Sequence, residues 1–181
     1  MAKHKNWGAI TILIHWISFF AILFLFISGI LMVTLSYYNY WYHKLPFWHK
    51  SIGVILFIIT IIRILWVSGR GRATSIDTHK AWEKKISHIV HFLLYLVLLI
   101  VLISGYFMTT SEGSDISVFD WFKVPHITTL LHAHIDLLGQ VHKFSSYCLI
   151  VLVSLHTLGA LKHHIIDKDD TLKRMFNLFN K

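Results

Sequence analysis

Four apolar stretches, each long enough to cross a bilayer, constrain this chain more than any other feature. A hydrocarbon core needs roughly 20 mostly apolar residues in a helix. Within 181 residues such stretches run over 10–33, 49–67, 86–109 and 141–161. None of them contains a carboxylate, and Arg63 lies deep within the second. Both prolines, Pro46 and Pro125, read as parts of connections between spans. Charged residues make up 14% of the chain, against about 25% in an ordinary soluble domain. The fold class expected is therefore all-α: one integral membrane four-helix bundle occupying residues 1–181.

The first stretch is too long for a signal-peptide core and no small-residue cleavage site follows it. Tyr37, Tyr38, Tyr40, Trp41 and Tyr42 follow instead, and they read as an aromatic belt at the membrane interface. With both termini and the second connection on one side, that side holds 13 of the 17 Lys and Arg residues. Such an excess marks the cytoplasmic side and predicts an N-in, C-in topology in a bacterial inner membrane. The same bias explains the net charge of +8 without nucleic acid, for which no phosphate loop or long basic run argues. A single cysteine, Cys148, excludes a disulfide framework, a four-cysteine metal site and CxxCH haem attachment.

There are 14 histidines, and His15, His49, His88, His91, His142 and His156 fall within or at the ends of spans. Ionisable groups in lipid are costly and point to function. His142 and His156 are 14 residues apart, which returns them to nearly one helix face, about 21 Å apart along the axis. One metal ion cannot use both, but two stacked cofactors can. His49 matches the depth of His142 near one surface, and His15 matches His156 near the other. Paired imidazoles on facing helices suit haem b iron. At the inner level His88 and His91, at i and i+3, compete with His15 as partner. Zinc is a further competitor, although paired depth favours a large flat ligand.

Arg63 follows His49 by 14 residues and returns to the same face at the inner level. It suits a haem propionate, or else snorkels to the surface. Gly53, one turn after His49, leaves room for a porphyrin or packs against a helix. His163, seven residues past His156, extends the ligand-bearing face. With His88 and His91 it marks a candidate quinone end, since quinone reduction needs protons near neutral pH; interfacial lipid contact is the plainer alternative. His126, His132 and His134 in the connection between spans three and four read as solvated loop histidines rather than a metal site. Lys50 and Lys143, next to the outer ligands, read as anion-attracting or as ordinary interface lysines.

The motifs that recur in order are Ile14-His15-Trp16, His49-Lys50-Ser51-Ile52-Gly53 with Arg63, and His88-x-x-His91. His142, His156 and Lys162-His163-His164-Ile165-Ile166-Asp167-Lys168-Asp169-Asp170-Thr171-Leu172 complete the series. By these the chain resembles the bacterial cytochrome b561 family over nearly its whole length. Val33-Thr34-Leu35-Ser36-Tyr37-Tyr38 and Ile116-Ser117-Val118-Phe119 resemble its YceJ-like branch. The resemblance implies two haem b groups with axial pairs His49/His142 and His15/His156, and electron exchange with quinone. A relative in the family oxidises superoxide at the outer face and reduces ubiquinone. Relatives of this branch are encoded beside a periplasmic isoprenoid-binding protein, which suggests a partner. The functional expectation is one-electron transfer between an outer donor and the quinone pool. The alternatives are an electron-transfer anchor for a separate redox protein and a haem-free histidine-based metal or proton transporter.

Overall fold

The computed structural model describes residues 7–70 and 80–176. Four helices account for most of them: α1 (Ala9–Met32), α2 (Trp41–Arg70), α3 (Ala81–Thr110) and α4 (Ile135–Ile165). All four are long and apolar enough to cross a membrane. Of the basic residues behind the topology argument, Lys3, Lys5, Arg72 and Lys181 lie outside the described residues.

α1 nearly coincides with its apolar stretch, while α2, α3 and α4 extend past theirs at both ends. Pro46 is thereby placed inside α2, not in a connection as the sequence reading had it. It sits in the second turn, where its ring removes a single N–H bond near the interface and its fixed φ suits a helix. Two short strands, β1 (Ile116–Val118) and β2 (Phe122–Val124), form an antiparallel hairpin between α3 and α4. The expected all-α fold thus carries one small β element. Ile116 and Val118 are buried on its inner face, which is what the alternation Ile-Ser-Val provides.

α1 packs antiparallel on α2, and α3 packs antiparallel on α4. Ser28 meets His49 and His15 meets Arg63 across the first pair. His142 meets Val101 and Lys162 meets Glu83 across the second. One end of the bundle therefore carries the start of α1 and the end of α4; it is called the terminal end. The other carries the β-hairpin and is called the hairpin end. At the terminal end the Trp16 indole N–H donates to the carbonyl of Met175 at 2.8 Å, tying the chain after α4 back onto α1.

The small buried core lies midway between the ends. Leu56, Leu98 and Leu149 meet there, flanked by Ile22, Leu25 and Val101. Most other large apolar residues are exposed, among them Phe20, Ile27, Leu65, Phe92, Val151 and Leu158. In lipid this is the expected arrangement, because the hydrocarbon is as apolar as the core. Small hydroxyl residues fill the helix contacts instead: Ser18, Ser28, Ser51, Thr60 and Ser104 are buried. Ser18, Thr60 and Ser104 return their hydroxyls to carbonyls one turn back, at 2.6–2.7 Å, so these three donors are satisfied within their own helices.

Candidate functional site: histidines at two levels

Each helix carries a three-step stripe with a spacing of seven residues, two turns apart on one face. In α1 it is His15, Ile22, Gly29; in α2, His49, Leu56, Arg63. In α3 it is His91, Leu98, Gly105; in α4, His142, Leu149, His156. The middle members belong to the apolar layer just described. The outer members form two polar tiers, one on either side of it.

In the hairpin-end tier the rings of His49 and His142 have centroids 6.3 Å apart. Each ring is held from behind. Ser28 donates its hydroxyl to the Leu25 carbonyl at 3.0 Å, so its oxygen is left to accept from His49 Nδ1, 2.8 Å away. His142 Nδ1 lies 2.9 Å from the Val101 carbonyl, which can only accept. The Val101 carbonyl puts the proton on His142 Nδ1, and with the Ser28 hydrogen on the Leu25 carbonyl His49 Nδ1 is protonated too; each Nε2 then keeps a free lone pair. Gly29 and Gly105 back these rings. A Cβ on Gly29 would meet His49 Cε1 at 3.5 Å, and one on Gly105 would meet His142 Cε1 at 2.8 Å.

In the terminal-end tier the centroids of His15 and His156 are 6.2 Å apart, and His91 lies 5.2 Å from His156. His88, one turn earlier on α3, is exposed. The hydrogen bonding of His15 differs from that of the other tier: Arg63 Nη2 lies 3.2 Å from His15 Nδ1, and a guanidinium only donates. Arg63 also faces the Tyr95 ring, 5.6 Å from its centroid, and its buried Nε has no hydrogen-bond partner.

The other residues singled out from sequence fall as follows. A Cβ on Gly53 would meet nothing within 4 Å; Gly53 borders open space. His163 sits at the end of α4, with Nδ1 2.8 Å from Asp167 Oδ2 and 3.3 Å from Asp169 Oδ2. Lys162 beside it bridges Glu83 at 2.7 Å and Asp167 at 2.6 Å. Glu83, His163 and Asp167 have metal-ligand spacing, but the Lys162 ammonium already bridges the two carboxylates. Among the loop histidines, His132 and His134 are exposed in a 3-10 turn. His126 pairs with Asp115: its ring Nδ1 and its backbone N–H both reach Asp115 Oδ1, at 2.9 and 3.0 Å. These bonds, the side-chain one foremost, hold the Asp115 carboxyl below its ordinary pKa.

Sequence reasoning missed Ser28, Gly29, Ser104 and Gly105. The seven-residue stripe was the signal available: it runs through every helix and ends on Gly29 and Gly105.

Four lipid-facing helices with imidazoles gathered at two levels define a class, that of multi-pass membrane proteins with paired histidines inside the bundle. The family model for prokaryotic cytochrome b561 matches residues 6–178. Cytochrome b561 homolog 2 of Escherichia coli K12 is 41% identical over 171 residues, which is 94% of this chain and 91% of the relative. Cytochrome b561 homolog 1 of the same strain is 24% identical over 70% of this chain and 72% of its own. A probable superoxide oxidase of Yersinia pestis is 25% identical over 95% of this chain and 96% of its own. The chain belongs to the prokaryotic cytochrome b561 family. It is a multi-pass inner-membrane protein of that family's electron-transfer chemistry, for which the family cofactor is haem b.

Proposed function

We propose that this chain holds two haem b groups, one per tier, and carries single electrons between a donor at the periplasmic side and the quinone pool. The observation that carries the reading is the pair of centroid separations, 6.3 and 6.2 Å. An imidazole nitrogen ligates a metal at about 2.0–2.1 Å, so two imidazoles on opposite sides of one iron have centroids roughly 6 Å apart. The donor set agrees, since His49 and His142 present bare Nε2 atoms. Haem b, when bound, would supply a one-electron Fe(III)/Fe(II) couple, with a pair of these imidazoles holding each iron.

His49 and His142 would hold the hairpin-end group, and His15 and His156 the other. The 5.2 Å between His91 and His156 is too short for a trans pair on one ion, which favours His15. For His15 to bind through Nε2, Arg63 must leave Nδ1. Its guanidinium, with Nε already unpartnered, then turns to a new acceptor such as a propionate carboxylate. Gly53 leaves open space beside the same face of α2. Pyridine haemochrome analysis of the purified chain is expected to give two haems per polypeptide; one or none would defeat the reading.

The hairpin end faces the periplasm in this reading, from the 13-to-4 distribution of Lys and Arg. Topology reporters fused after Lys181 are expected to be active only as cytoplasmic fusions, and periplasmic activity would exchange the two sides. Superoxide is one candidate donor at that face, as the 25% identical probable superoxide oxidase of Yersinia pestis suggests. The quinone end is placed at the terminal end, with His163, His88 and His91. The carboxylates beside His163 Nδ1 suit an imidazole that passes protons through Nε2. His163→Ala is expected to slow haem reoxidation by quinone by on the order of 10²-fold, with both haems still bound and reducible. Stopped-flow spectroscopy measures this, and wild-type rates would move the quinone away from His163.

A further inference from the structure

At the hairpin end a cleft of about 480 Å³ opens between the last turn of α1, the first turns of α2 and strand β1. Met32, Phe47 and Ile116 give it apolar walls, and His43, Lys50 and Asp115 give it polar ones. Its size falls in the range of small-molecule sites, as does its mixture of apolar surface with a few polar groups. Phe47 and Lys50 belong to the turn of α2 that carries His49, so the cleft adjoins the hairpin-end tier.

The polar groups restrict what fits. Asp115 is fixed by the two bonds from His126, and those bonds keep it ionised. Lys50 supplies a cation in the same cleft. A simple anion meets the Asp115 carboxylate, and a simple cation meets Lys50. A quinone offers two carbonyls, which only accept, so one of them has no donor at Asp115. A ring with two hydroxyls satisfies both groups: one hydroxyl donates to Asp115 while the other oxygen accepts from Lys50. The apolar walls suit the ring faces. Exposed Tyr37, Tyr38, Tyr40 and Trp41 lie in the chain between Met32 and His43 of the cleft and mark interface depth, which gives entry from the membrane.

We propose that this cleft binds the headgroup of a membrane hydroquinone, with Asp115 and Lys50 as its two polar anchors. The inference rests on the proposed function and adds a site to it, at the opposite end from His163. It also makes the site selective for the reduced ring over the oxidised one.

The test uses the haem-loaded chain in nanodiscs. Decyl-hydroquinone is titrated calorimetrically into the dithionite-reduced protein, and decyl-quinone into the oxidised protein; heats into the Asp115→Asn/Lys50→Ala double variant, which keeps the terminal end, are subtracted. The hydroquinone is expected to bind about tenfold or more tighter, the worth of one hydrogen bond to a charged group. Asp115→Asn is expected to abolish that preference, and Lys50→Ala to weaken both ligands, with haem content unchanged in each variant. Equal affinities in the wild type, or affinities unmoved by both substitutions, would overturn the site. The absorption spectrum of the same samples reports the haems separately, so loss of the cleft and loss of the two-haem reading are told apart.

Discussion

If each tier holds one haem, as proposed, an His142→Ala variant is expected to lose one of the two and keep the other. The imidazole of His142 is the α4 half of the hairpin-end tier, 6.3 Å from His49 between ring centroids. Its removal leaves His49 as a single ligand beside a vacant position, and nothing within the tier replaces it, because the corresponding residues of α1 and α3 are Gly29 and Gly105. The terminal-end tier is insulated from the change. Leu56, Leu98 and Leu149 fill the layer between, and the two α4 histidines are 14 residues apart, about 21 Å along the helix. Haem per polypeptide should fall from two to one, and the reduced-minus-oxidised spectrum should lose one component. His15→Ala should give the converse loss. His91→Ala should keep both haems, since its ring stands 5.2 Å from His156, nearer than trans ligation allows. Two haems with unchanged spectra in His142→Ala would refute the pairing.

The depth pairing of these histidines was legible from spacing alone, because helix geometry converts residue number into height and face. Four spans were legible for the same reason: lipid tolerates only long apolar helices here, so composition and length leave little choice. What sequence left open at the inner level was a matter of lateral distance. His15 and His91 lie at one depth, with His88 a turn away, and only packing separates 6.2 Å for His15 from 5.2 Å for His91. The β-hairpin escaped notice because three-residue strands lie below any periodicity signal. Its turn residues added to the difficulty. Phe119 and Asp120 have φ of 48° and 59°, a primed turn that Asn-Gly would ordinarily announce. The hairpin is instead pinned from α2. The Phe119 N–H donates to the buried Ser51 hydroxyl at 3.1 Å, a contact 68 residues distant in sequence. The carboxylates beside His163 were in plain sight at i+4 and i+6, but whether the chain after α4 folds back to present them is a tertiary question.

Gly105→Val is expected to damage the hairpin-end centre almost as severely as removing a ligand, although no ligand is touched. A Cβ at position 105 would lie 2.8 Å from His142 Cε1 and 2.9 Å from Nδ1, closer than real contacts allow, and valine adds two methyl groups beyond it. Position 105 is in α3, whose backbone is committed to the α3–α4 packing, so the imidazole must move. Moving it breaks the 2.9 Å bond from Nδ1 to the Val101 carbonyl, which orients the ring and fixes the proton away from Nε2. Loss of such a supporting bond typically costs 10–100-fold in metal affinity, and the steric displacement adds to it. Gly29→Ala serves as the control: its Cβ would meet His49 Cε1 at 3.5 Å, an ordinary van der Waals contact, and that variant should keep both haems. Transfer of haem to excess apomyoglobin measures the difference. Gly105→Val should release one haem at least about tenfold faster than the wild type, with the other retained, and electron paramagnetic resonance should show the loss of one low-spin ferric signal. Slow release of both haems from Gly105→Val would mean that the His142 ring is not the group that holds iron at this end.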